Sequence, residues 1–264
     1  MYRLISLFDY TANWPYYFGQ NGWDVIPVDI QNGHDILDFD SAGMCIDHFE
    51  YVNGILAAPP CTHFTYSGIR WWPEKDADGR TESHLEFVYQ VLRMVDLFMP
   101  TDPDYFDETR DPFFWVIENP LGRLDDLIPS LGKPIKFDPC DYAGYLDISY
   151  RDHMELDRIR KKNGKGVTKK ESEFVLQCNA YTKKTCLWGD FNRDIPKKRI
   201  EPVRCCKQGS PLQRLGGKSQ ATKNKRSATP LGFSKAFYEA NKDYQPVADR
   251  EEIREAAWQL ELQL

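Results

Sequence analysis

The stretch Gly54-Ile55-Leu56-Ala57-Ala58-Pro59-Pro60-Cys61 constrains the fold of this 264-residue chain more than any other. It reads as a buried apolar strand that runs into a rigid Pro-Pro turn and presents a single cysteine. A small, hydroxyl-rich loop, Thr62-His63-Phe64-Thr65-Tyr66-Ser67-Gly68, follows. A strand end that delivers a thiol suits nucleophilic catalysis. Free cysteine is also among the most buried residue types, so the stretch by itself more often marks an inert thiol beside a turn.

Leu4-Ile5-Ser6-Leu7-Phe8 reads as a first buried strand, 16–21 as a short helix ended by Gly22, and 24–30 as a second strand closing on Asp29 and Ile30. This is the opening of a doubly wound α/β sheet, in which ligands sit at the carboxyl ends of strands. An acid ending the second strand commonly binds ribose hydroxyls, which marks Asp29; an exposed strand-end Asp is nearly as common. In the loop 33–39, Asp35 is placed to accept from an exocyclic amine and Ile36 to pack on a flat ring. Phe113-Phe114-Trp115-Val116-Ile117 then runs into Glu118-Asn119-Pro120, putting a carboxylate and an amide at the lip of the sheet. A glutamate so close to an apolar strand is expected to be desolvated, with its pKa raised; helix capping is the plainer alternative.

Elsewhere the pattern predicts a charged aromatic loop over 71–78 and a helix over 81–99 with Leu85, Val88, Leu92, Val95 and Leu97 on its apolar face. An acidic loop follows over 100–112 and an extended segment over 131–140. The segment 142–181 reads as an inserted helix and a flexible basic loop, and 182–189 as a returning strand. A basic loop-rich stretch spans 196–225, the segment 226–233 leads into a helix through Ala240, and an amphipathic helix ends the chain over 249–264. The expected organisation is a core over 1–141, a charged insertion over 142–180, a closing strand plus basic recognition region over 181–225, and C-terminal helices over 226–264.

Charge divides the chain unevenly. Residues 151–230 hold 21 Lys and Arg against 8 Asp and Glu, while the remainder holds 13 against 32. A basic face on an acidic body is a common footprint of a polyanion partner, and a solvated insertion is its bland counterpart. Seven scattered cysteines without a repeated CxxC favour reduced thiols and a cytoplasmic setting over a disulfide framework. No apolar run approaches a membrane span, so no membrane partner is expected.

Taken together, these motifs resemble the cytosine-C5 DNA methyltransferases, in the compact form of phages and prophages. Leu7-Phe8-Asp9 is similar to the first cofactor motif, Asp29 to the acid after the second strand, and Asp35-Ile36 to the third motif. Pro59 through Gly68 resembles the nucleophile loop nearly residue for residue, and Glu118-Asn119-Pro120 resembles the Glu-Asn-Val motif. Lys183-Lys184-Thr185 stands where the family has an Arg-x-Arg strand. The resemblance covers about 4–137 and 181–240.

It implies a Rossmann-like sheet and a catalytic set of Cys61, Glu118, Asn119 and Lys184. It further implies S-adenosyl-L-methionine held by Phe8, Asp9, Asp29, Ile30, Asp35, Ile36 and Pro59. DNA would be met by Ser67, Arg160, Lys161, Lys162, Lys183, Lys198, Arg199 and Arg226. No metal is implied, and a monomer is expected. The chemistry agrees: cytosine C5 becomes nucleophilic only after addition at C6, which a thiolate can perform, while a carboxyl at N3 neutralises charge building on the ring.

The chain also departs from the family. The turn Asp9-Tyr10-Thr11-Ala12-Asn13-Trp14 lacks glycine, and lysines replace the expected arginines. Rival readings are a pyrimidine nucleotide enzyme with thymidylate-synthase-like chemistry, a non-catalytic DNA-binding relic, and RNA in place of DNA. A structural zinc on Cys140, Cys178, Cys186, Cys205 or Cys206 matches no familiar spacing.

Overall fold

A computed structural model of the protein describes residues 1–38, 52–99, 113–215 and 219–244. The acidic loop expected over 100–112 and the terminal helix over 249–264 lie outside the described residues. Six strands form one sheet: β1 (Arg3–Leu7), β2 (Asp24–Val28), β3 (Gly54–Ala57), β4 (Phe114–Pro120), β5 (Ile135–Phe137) and β6 (Thr185–Asp190), in the order β2-β1-β3-β4-β6-β5. The first four run parallel, and β6 runs antiparallel to both β4 and β5.

The sheet is buried on both faces, which is why its strands read as near-continuous apolar runs. Alternate residues divide between two cores. Ile5, Leu7, Ile55, Ala57, Trp115 and Ile117 pack under α3 (Arg80–Phe98), and Leu4, Leu56, Phe114 and Val116 pack under α1 (Tyr16–Gln20) and α8 (Leu231–Asn241). Leu4, Ile55, Leu56, Val116 and Ile117 are fully buried, and each contributes about 1.5–3 kcal/mol by leaving water. Gly54 permits the close packing of that second face: a Cβ there would meet the Phe114 ring at 2.6 Å and Leu4 at 2.7 Å.

Several expected elements differ. Leu97 is exposed rather than on the apolar face of α3, whose buried row instead includes Val91 and Met94. The stretch expected as an aromatic loop over 71–78 is helical, with a 3-10 turn over Tyr66–Trp71 followed by α2 (Trp72–Ala77). A one-turn helix, α4 (Leu124–Leu127), follows β4.

The insertion is a helical hairpin of α5 (Tyr150–Arg160) and α6 (Lys169–Gln177), not one helix and a flexible loop. Each helix opens on a capping box: Ser149 with Asp152, and Thr168 with Glu171. Asn163, Gly164 and Gly166 carry the chain between them at positive φ. Leu156, Ile159, Val175, Val203 and Cys205 form the hairpin's own small core, so the stretch after β6 is packed rather than loose. The last part of that basic stretch is also helical, α7 (Gln220–Ser227).

Candidate active site

Because β6 is antiparallel to β4, with Thr185 opposite Pro120, the residues preceding β6 reach the same edge as those following the parallel strands. A cleft of about 920 Å³ opens at that edge. It lies over the point between β1 and β3 where strand order reverses, the usual ligand position in such sheets.

Cys61 enters the cleft from the end of β3. The Ala58 N–H donates to Leu7 O at 3.1 Å, and the Cys61 carbonyl accepts from Phe64 N at 3.0 Å and Thr65 N at 3.2 Å, turning the chain directly after the thiol. Glu118 enters from β4, next to β3 in the sheet. Asn119 points the other way: fully buried, it donates from Nδ2 to the Pro59 carbonyl at 2.9 Å. It therefore ties the nucleophile loop to the Glu118 strand and does not line the cleft.

Burial pushes the Cys61 thiol up; Lys183 pulls it down, Glu118 adds to the rise, and Arg226 opposes it. Burial likewise raises the Glu118 carboxyl, with Lys183 acting against the rise and Asp9 adding to it. The Lys183 Nζ stands 4.0 Å from Glu118 Oε1, with both side chains largely buried. Lys184 lines the cleft, but its ammonium is engaged by Asp138 Oδ2 at 2.6 Å. The lysine beside Glu118 and Cys61 is thus Lys183 rather than Lys184.

At the other end of the cleft, the glycine-free turn reaches an unusual backbone without glycine. Phe8 and Ala12 hold φ of 60° and 51°. Asp9 supplies the fastening: its carboxylate accepts from the Trp14 N–H at 3.0 Å and the Thr11 hydroxyl at 2.7 Å. Burial raises the Asp9 carboxyl against those hydrogen bonds. Asp29 Oδ1 accepts from Gln31 N at 2.8 Å, and Asp35 Oδ1 from Leu37 N at 3.0 Å. Ile36 is buried under α3, Ile30 is exposed at the rim, and Phe87 meets Phe8 edge-on at 5.7 Å.

Of the expected site residues, Phe8, Asp9, Asp29, Ile30, Asp35, Ile36, Pro59, Cys61, Ser67, Glu118, Lys183, Lys184 and Arg226 line this one cleft. The remaining basic residues do not. Arg160 bonds Asp157 and the Glu201 carbonyl, Lys162 bonds Glu171 at 2.8 Å, Lys198 lies 3.9 Å over the Tyr145 ring, and Arg199 pairs with Asp141. Lys161 is exposed on the hairpin.

Sequence reasoning missed the wall built by α7, where Gln220, Lys223 and Asn224 line the cleft and Asn224 Nδ2 donates to Gln31 Oε1 at 2.9 Å. The available signal was Ser219, whose hydroxyl caps the helix by accepting from Thr222 N. Among the described residues, no three His, Cys, Asp or Glu side chains converge in a way that could hold a metal ion. Among them too, no helix is long and apolar enough to cross a membrane.

Neither a protein-family model nor a curated protein matches the chain. Among solved structures it is similar to an E. coli protein described as a "putative DNA modification methyltransferase encoded within prophage", with 14% identity and a TM-score of 0.39. The similarity covers 78% of this chain and 54% of that one, so the chain spans about half the length of the structure it matches.

Proposed function

We propose that this protein methylates C5 of cytosine in DNA, using S-adenosyl-L-methionine, through a covalent Cys61–C6 adduct. The observation that carries the reading is the meeting of Cys61 and Glu118, from neighbouring strands, in one cleft with Lys183 beside Glu118 and acting on both.

The other half of the cleft suits the methyl donor. Asp29 and Asp35 offer carboxylates at the β2 end, Phe8 and Phe87 an aromatic surface, and the volume of about 920 Å³ leaves room for a nucleoside and a flipped base together. Bound there, S-adenosylmethionine would supply an electrophilic methyl group.

On this reading, Cys61 adds as thiolate to C6, and the π pair of the C5–C6 bond becomes available at C5. Burial raises the Glu118 carboxyl and so favours its neutral form, which would donate to N3 and neutralise the charge that addition places on the ring. A protonated Glu118 also no longer opposes the Cys61 thiolate, and Lys183 favours it. C5 would take the methyl group as its bond to the donor sulfur breaks, and passage of the C5 proton to water would re-form the C5–C6 double bond and expel Cys61 as thiolate. The target base must leave its stack to reach the thiol. In the cleft lining the Ser67 hydroxyl lies 2.8 Å from Thr65 Oγ1, and on the 3-10 turn that carries Ser67, Tyr66 and Trp71 are exposed with Arg70 4.8 Å over the Trp71 ring. Exposed rings interleaved with arginine offer stacking surfaces to unpaired bases.

The test is incubation with duplex DNA and labelled S-adenosylmethionine, followed by nucleoside mass spectrometry. Labelled 5-methylcytosine in DNA is expected, and its loss in Cys61→Ser. Product from free nucleotide alone, from RNA alone, or from an active Cys61→Ser protein would overturn the proposal.

A further inference from the structure

The loop carrying Cys61 is fastened to the Glu118 strand on both sides of the thiol, and the second fastening involves a residue outside the motifs. Before the thiol, Asn119 holds the Pro59 carbonyl. After it, Arg123 reaches back from beyond β4. Its guanidinium donates to the His63 carbonyl at 3.3 and 3.4 Å, and makes a two-pronged pair with Asp76 of α2 at 2.7 and 2.7 Å. It also donates to Thr81 Oγ1 at 3.1 Å and stacks 4.3 Å over the Trp72 ring.

The backbone repeats the connection. Arg123 N donates to Phe64 O at 2.9 Å, Tyr66 N to Leu121 O at 3.3 Å, and Thr65 bridges Gly122. The two segments approach so closely that a Cβ on Gly122 would lie 2.0 Å from Phe64 O. The Arg123 side chain is itself only 10% exposed, so its charge is committed to these partners and not available to a ligand.

We propose that Arg123 is a positioning residue for Cys61: by joining the His63 carbonyl to Asp76, it fixes the depth and direction of the thiol relative to Glu118. Only a planar five-donor fork can meet the carbonyl, the carboxylate and the ring together, so lysine does not substitute. A displacement of about 1 Å at a reacting atom costs on the order of 100-fold in rate. The inference rests on the reading of Cys61 as the nucleophile, but not on the identity of its substrate.

Two readouts on the full-length protein separate the inference from the function. The first is the pH profile of Cys61 alkylation by iodoacetamide, located by peptide mass spectrometry. The second is kcat and KM for methyl transfer. Arg123→Ala is expected to speed Cys61 alkylation at pH 8 about tenfold, because the freed loop admits water to a thiol now held up by burial. It is also expected to lower kcat about 100-fold with KM for S-adenosylmethionine unchanged. Arg123→Lys should behave like Arg123→Ala. Asp76→Asn changes a half-exposed partner without opening the interior, so it guards against loss of folding, and a smaller shift in the same direction is expected. Unchanged alkylation in both Arg123→Ala and Asp76→Asn overturns the positioning role, whether or not the wild type methylates DNA. Shifted alkylation in a protein that never methylates DNA upholds the role and removes the proposed function.

Discussion

Lys183→Met removes the ammonium that, among the described residues, stands against Glu118, while keeping an unbranched side chain of similar length. At 4.0 Å, two unit charges interact by about 1 kcal/mol in water and about 4 kcal/mol at an effective dielectric near 20. The Lys183 and Glu118 side chains are 19% and 14% exposed and line an open cleft, which places the pair between those limits. Lys183 is the leading influence that lowers both the Cys61 thiol and the Glu118 carboxyl against burial. Its loss therefore moves both further up, and at a fixed pH less thiolate is present. Taking the weaker end of the range, the ionised fraction of Glu118 should fall about 5- to 10-fold, since about 1.4 kcal/mol is a factor of ten, and the Cys61 thiol moves in the same direction.

The assay is the rate of Cys61 alkylation by iodoacetamide against pH. The profile of Lys183→Met should lie to the alkaline side of the wild type, and Lys184→Met should leave it in place because that ammonium belongs to Asp138. An unmoved profile, an acid shift, or a larger effect at Lys184 would refute the electrostatic coupling.

Other outcomes follow from the same geometry. Gly122→Ala should lower the melting temperature by several degrees, because the new Cβ meets the Phe64 carbonyl at 2.0 Å and neither backbone segment can yield freely. Glu171 is held well below its usual range, at about 2, first by Lys162 and then by the Thr168 N–H. A depressed carboxyl contributes stability that is present above its unfolded value of 4.5 and lost as pH falls towards 2. Acid melting of the helical hairpin should thus begin below about pH 4.5, and Glu171→Gln should flatten that dependence in a circular-dichroism titration. Lys161→Glu should weaken DNA binding and reduce the slope of log K against log salt by about one, whereas Lys162→Glu should also destabilise the hairpin, since Lys162 is bound to Glu171.

The sheet was legible because its central strands are buried on both faces and leave short apolar runs, each ending in polar groups at one edge. The same rule marks Cys61, Glu118 and Asp29 in the sequence. The helices α6 and α7 were not legible from periodicity. α7 is polar on all sides, with no buried residue, and α6 buries only Glu171, Ser172 and Val175. Their signatures were the caps Thr168 and Ser219, which lie inside charge-rich sequence and read there as loop. The choice between Lys183 and Lys184 is equally hidden, because it turns on Asp138, 46 positions away, holding the Lys184 ammonium. Arg123 lies five residues beyond Glu118 and takes its meaning only from the nearness of His63 and Asp76, residues about 50 to 60 positions away.

The most direct test of covalent methyl transfer is a trap. A random-sequence duplex containing 5-fluorocytosine, incubated with the protein and S-adenosylmethionine, offers a C5 substituent that cannot leave as a proton. If Cys61 attacks C6, the adduct cannot resolve. A denaturation-resistant protein–DNA complex should accumulate, and peptide mass spectrometry should place the nucleotide on Cys61. No complex under conditions where the protein binds the duplex, or a complex that persists in Cys61→Ser, would contradict the mechanism.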